Sequence, residues 1–236
     1  VAGFRKLTAD IFILFILGVG MFGWLGQTAE AAEAEAEAEA ERERETKTAA
    51  AGLIAVKVLV KDYAGVSPGD IEKATHVASR IYRRIGVEIT WFGVGTGDQK
   101  IPGDPAGNEA FCASVLVVNL HSDPQDDGDR LGTMGMAAVG SRIARVFMDP
   151  VVQTAYKAQL PPSTVLGYVI AHELGHLLLP PNSHSRGGLM RATLDAMGVR
   201  MERLWFDASQ AALIRVKLSG SIAPDLIARA REPDGW

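Results

Sequence analysis

One stretch constrains this chain more than any other. It reads Ala171-His172-Glu173-Leu174-Gly175-His176-Leu177-Leu178-Leu179, then Pro180-Pro181-Asn182-Ser183-His184, then Gly188-Leu189-Met190. The apolar run Val165 to Ala171 leads into it. The segment therefore reads as a helix opened at Pro161-Pro162-Ser163-Thr164, where a capping hydroxyl is expected, and closed by Pro180. Residues four apart on a helix lie about 40° apart around its axis, so His172 and His176 share a face and Glu173 stands at its edge.

Those residue types suit one chemistry. Imidazole nitrogen is a good zinc ligand, a catalytic zinc takes three protein ligands plus water, and a neighbouring carboxylate can take that water's proton as it attacks a carbonyl. His184, within short reach of the helix end, is the expected third ligand beside His172 and His176, with Glu173 as general base and one Zn²⁺ as cofactor. A rival arrangement takes its third ligand from a later carboxylate, Asp195 or Glu202, although neither sits in the Glu-xxx-Asp context of that class. A buried helix with two ordinary histidines would spell the same motif.

Composition bears on partners and on the N-terminus. Of 236 residues, 47% are hydrophobic and 22% charged, enough for one sizeable core. The net charge of −4 arises in residues 1–48, which carry nine acidic and five basic side chains and leave nineteen of each beyond. The remainder is neutral, and nothing points to nucleic acid. Arg5 and Lys6 precede sixteen uncharged, mostly apolar residues, 11–26. As a helix this run spans about 24 Å, short of the roughly 30 Å bilayer core, and Ala29-Glu30-Ala31 resembles a small-x-small cleavage site. Residues 1–31 are thus expected to be a signal peptide or short membrane anchor, and the protein exported. Glu and Ala alternate through most of 32–49, leaving no apolar stripe, so a solvated, disordered linker is expected there. Cys112 is the single cysteine, which excludes an internal disulfide.

The domain is expected over 50–236. Leu53 to Val60 reads as a strand, and Ser67-Pro68-Gly69-Asp70 starts a helix with Ile71, Ala74, Ala78, Ile81, Tyr82 and Ile85 inward. Gly86 ends that helix, Val87 to Phe92 is a second strand, and Ser114 to Leu120 a third and central one. Residues 93–110 form a loop, and the polar run 122–129 a solvated turn whose carboxylates lack the spacing of a calcium loop. His76 and His121 read as ordinary surface histidines. Gly132 to Gly140 is placed as an edge strand and Arg142 to Asp149 as its neighbour, both above the metal. Gly135, Met136 and Ala137 would bind an extended peptide by strand addition, holding the scissile carbonyl over the ion. Residues 191–203 read as a connector, followed by a closing helix capped by Asp207 and anchored by Trp205 and Phe206.

Two strands and a helix, an edge strand, the HExxH helix, a third His and a following Met together resemble the metzincin clan of zinc endopeptidases, most nearly its matrixin-like members. The resemblance spans roughly residues 53–218 and is specific over 163–191. It implies an α+β, zincin-like fold: a small mixed twisted sheet with an antiparallel edge strand, packed on two long helices, with a C-terminal helix. It further implies that His172, His176 and His184 bind zinc, that Glu173 is the base, and that Met190 lies in a turn beneath the metal. The family motif HExxHxxGxxH places its Gly on Leu179 and its last His on Asn182, so His184 comes two residues late. The expected function is a monomeric zinc metalloendopeptidase acting on peptide or protein substrates. Two alternatives stay open: an exported zinc-site protein that binds peptide or cell-envelope material without cutting it, and a hydrolase of a non-peptide amide.

Overall fold

The computed structural model describes residues 52–94, 115–123, 132–137 and 140–220. Among them are five strands: β1 (Ile54–Asp62), β2 (Val87–Phe92), β3 (Val115–His121), β4 (Gly135–Ala137) and β5 (Ile143–Phe147). Five helices accompany them: α1 (Pro68–Arg83), α2 (Met148–Ala158), α3 (Pro162–Leu178), α4 (Ala196–Arg200) and α5 (Ala208–Ser219). The strands form one mixed sheet in the order β2-β1-β3-β5-β4. The first four are parallel, in register Val58↔Leu116 and Val118↔Ala144, and β4 lies antiparallel at the edge with Met136 opposite Arg145. This is the α+β architecture expected from the sequence, with the HExxH segment as one of its two long helices.

Strand periodicity explains where the core sits. Val56, Val58 and Val60 of β1, Leu116, Val118 and Leu120 of β3, and Ala144 and Val146 of β5 alternate onto one face and join the main hydrophobic cluster with α1 and α3. The opposite face carries a smaller cluster of Leu59, Phe92 and Val115. Ser67 caps α1, accepting from Asp70 N–H at 3.2 Å, and Pro68 occupies the first turn, where its missing N–H costs nothing. The inward stripe of α1 is buried as its spacing predicted, and His76 is exposed.

A hydrogen bond ties α1 to α3, and a ring contact braces the tyrosine that makes it. The buried Tyr82 hydroxyl donates to the Ala171 carbonyl at 3.2 Å, one residue before His172. Phe206, just ahead of α5, meets Tyr82 edge-on with ring centroids 5.2 Å apart.

Four expectations need correction. The edge strand expected over Gly132 to Gly140 covers, among the described residues, only Gly135–Ala137. The start of α3 has no hydroxyl cap: Pro161 is its N-cap, and Ser163 is buried inside the first turn. The strand expected to reach Asp149 stops at Phe147, where the chain turns directly into α2. The connector over 191–203 contains the short helix α4, whose cap is Asp195, accepting from Met197 N–H at 3.1 Å. The N-terminal segment 1–31, the Glu/Ala linker 32–49, Cys112 and most of the polar run 122–129 lie outside the described residues.

Candidate metal centre

The third histidine is delivered by backbone geometry. Leu179 precedes a proline and takes an extended conformation (φ −98°, ψ 163°), which ends α3. After Pro180-Pro181, Asn182 adopts a left-handed conformation with φ 60°, a region that Asn tolerates better than other non-glycine residues. Past His184 the chain is closed by Ser185 N–H donating to the Met190 carbonyl (2.9 Å), and Leu189 N–H donating to the Trp205 carbonyl (2.9 Å) fixes the far side of the turn.

This turn brings His184 to the two helix histidines. His176 Nε2 lies 3.0 Å from His172 Nε2 and 3.1 Å from His184 Nε2. The His176 ring stands nearly perpendicular to the others, at 81° to His172 and 79° to His184. Two nitrogens on one tetrahedral zinc at bonds of about 2.0–2.1 Å are separated by about 3.3 Å, so these spacings fit a single ion. The tautomer fits as well. His172 Nδ1 is 2.8 Å from the Leu189 carbonyl, which can only accept; the ring proton is therefore on Nδ1, and a bare lone pair on Nε2 faces the other rings. Burial, aided by its two histidine neighbours, lowers the His176 pKa to about 4, and burial also lowers that of His172. Both rings are thus neutral donors at pH 7. The three histidines form a group able to hold a metal ion. Asp195 and Glu202, the rival ligands, are engaged elsewhere: Asp195 caps α4, and Glu202 pairs with Arg80.

Glu173 is 5% exposed, and its Oε2 has no hydrogen-bond partner among the described residues. Burial raises its carboxyl pKa to about 8. The side chain lies against Gly135 of β4: a Cβ built on that glycine would come within 2.5 Å of Glu173 Oε1. Met190 is fully buried beneath the same helix, and a Cβ on Gly175 would meet its sulfur at 2.6 Å.

Glu173 and the three histidines open into a cleft of about 860 Å³. Its walls are residues 132–137, including all of β4, Thr154 of α2, Val169 of α3 and residues 191–194. The predicted residues Gly135, Met136 and Ala137 therefore border the same space as the three histidines. Sequence reasoning missed three members of this site. Ser183, whose Oγ lies 3.1 Å from His176 Nδ1, left only a hydroxyl beside a predicted ligand as its signal. Leu189 acts through its carbonyl, which no side-chain pattern reports, and Thr154 arrives on α2, a helix without a side-chain cap to announce it.

No protein-family model matches the sequence, and no curated protein does. Among solved structures, the chain is similar to a zinc-dependent peptidase from Methanocorpusculum labreanum, with 15% identity over 69% of this chain and 99% of that one and a TM-score of 0.46. It is similar to an archaemetzincin from Methanopyrus kandleri (16% identity, 70% of this chain and 96% of that one, TM-score 0.45). A further likeness is to an archaemetzincin from Archaeoglobus fulgidus complexed with malonate (14% identity, 67% and 99%, TM-score 0.42).

Proposed function

We propose that this chain is a zinc-dependent metalloendopeptidase. The observation that carries the reading is the convergence of three imidazole Nε2 atoms, 3.0 and 3.1 Å apart, beside a buried carboxylate whose Oε2 has no partner among the described residues. A zinc ion on His172, His176 and His184 would supply the positive charge that polarises a peptide carbonyl, lowers the pKa of water and favours the ionised form of Glu173. Glu173 then takes the proton of the attacking water at Oε2 as the new C–O bond forms, and passes it to the amine nitrogen as the C–N bond breaks. An extended substrate would run alongside β4, whose residues border the cleft.

Met190 packed under Gly175 supports a metzincin-type site, here with its own route to the third ligand rather than the matrixin spacing. The apolar run 11–26 supports action outside the cytoplasm, by an exported or membrane-attached enzyme.

The test is incubation with a mixed peptide library, with and without a chelator. Chelator-sensitive cleavage is expected, and Glu173→Gln should keep its zinc while losing turnover by about a hundredfold or more. Zinc binding without cleavage by the native chain would instead favour a binding protein, and undiminished proteolysis by the Gln variant would refute the role of Glu173.

A further inference from the structure

We infer that Ser183 is a positioning residue for the metal centre, holding the His176 ring so that its Nε2 faces the ion. The inference rests on the metal site proposed above and concerns a residue outside the ligand set. His176 is the central ring of the three, because its Nε2 is the atom within about 3 Å of both others, as the 3.0 and 3.1 Å separations record. A rotation of that ring disturbs both neighbours at once.

Each helix histidine has a separate support. His172 is held through Nδ1 by the Leu189 carbonyl, an acceptor that permits one tautomer only. For His176 the corresponding partner is the Ser183 hydroxyl, 3.1 Å from Nδ1. When Nε2 binds a metal, the ring proton sits on Nδ1, and Ser183 Oγ accepts it. Such a bond fixes both the orientation and the tautomer of a ligand.

The turn explains how consecutive residues reach opposite ends of one imidazole. Asn182, left-handed at φ 60°, reverses the chain after Pro180-Pro181. Ser183 then meets His176 Nδ1 while His184 meets His176 Nε2. The delay of His184 by two residues relative to the matrixin spacing thus accompanies a turn that provides a ligand and a support for another ligand together.

Zinc affinity, measured by competition with a chromophoric chelator, tests this on the full chain. Ser183→Ala should weaken zinc binding by about 10- to 100-fold, while Ser183→Thr, which keeps the hydroxyl, should return it to within about threefold of the native chain. Cobalt(II) should report the same order through its visible absorption, with the band altered in the Ala variant and restored in the Thr variant. The chelator-treated Ala variant should unfold at the same temperature as the chelator-treated native chain. Native affinity in the Ala variant overturns the inference. So does an equal loss in both variants with lowered metal-free stability, which would mark Ser183 as a structural loop residue. A native chain that binds no zinc overturns the metal site itself, and this inference with it.

Discussion

Gly135 is the residue whose smallness the site depends on most directly. A methyl group there would sit 2.5 Å from Glu173 Oε1 and 2.6 Å from its Cγ, far inside van der Waals contact. The carboxylate is the mobile partner, because Gly135 is held in β4 by pairing with Val146. Gly135→Ala should therefore displace Glu173 while leaving the three histidines in place. Zinc content should stay at one ion per chain while kcat falls by up to about a hundredfold, since small misplacements of a catalytic group have effects of that size. Metal analysis beside steady-state kinetics would check this, and a variant with native kcat would show that Glu173 tolerates the shift. Residues of this kind mark the limit of reading a sequence. His172, Glu173, His176 and His184 declare themselves by side-chain type and spacing, whereas Gly135 matters through what would collide with it, a fact about two segments 38 positions apart.

At the level of elements, legibility followed local signals. Helix α5 was placed from Asp207 and its apolar positions, and it carries a complete capping box: Asp207 Oδ1 accepts from Gln210 N–H at 2.8 Å, and Gln210 Oε1 from Asp207 N–H at 3.1 Å. Asp207→Ala should cost about 1 kcal/mol in urea denaturation with zinc affinity unchanged, because the cap serves the helix end and not the site. Helix α2 lacks such a mark. Its N-cap is Phe147, with no side-chain cap, and the residue closes β5 as well, so strand-like and helical sequence run together there. At five residues α4 is too short to show a period, and in sequence the carboxylate of its cap, Asp195, reads equally as a metal ligand. The missing hydroxyl at α3 has a similar cause: two prolines already set the backbone for a helix start, and Ser163 was free to be buried.

For the whole molecule, a metal ion bound here would add a further link between α3 and the turn after Pro180, which already meet through the His172–Leu189 and His176–Ser183 contacts and through Met190 under Gly175. His172 and His176 belong to α3, which packs with α1 and the sheet; His184 belongs to a turn held by Ser185–Met190 and Leu189–Trp205 hydrogen bonds. An ion bound to all three ligands would tie the exposed start of that turn, around His184, to α3, while Leu189 and Met190 already sit in the core. A ligand that binds only the folded chain stabilises it by RT ln(1 + [L]/Kd), about 2.7 kcal/mol at free zinc one hundredfold above Kd. Adding zinc to chelator-treated protein should accordingly raise Tm. His184→Ala should show a smaller rise, because two imidazoles on one helix bind more weakly than three. The loosening should also be local. Chelation should speed amide exchange over residues 183–191, while β1 and β3, central in the sheet and lined by fully buried Val58, Val118 and Leu120, should exchange as before. A Tm that ignores zinc in the native chain, or an exchange change spread evenly through the sheet, would separate the ion from the turn that this geometry ties to it.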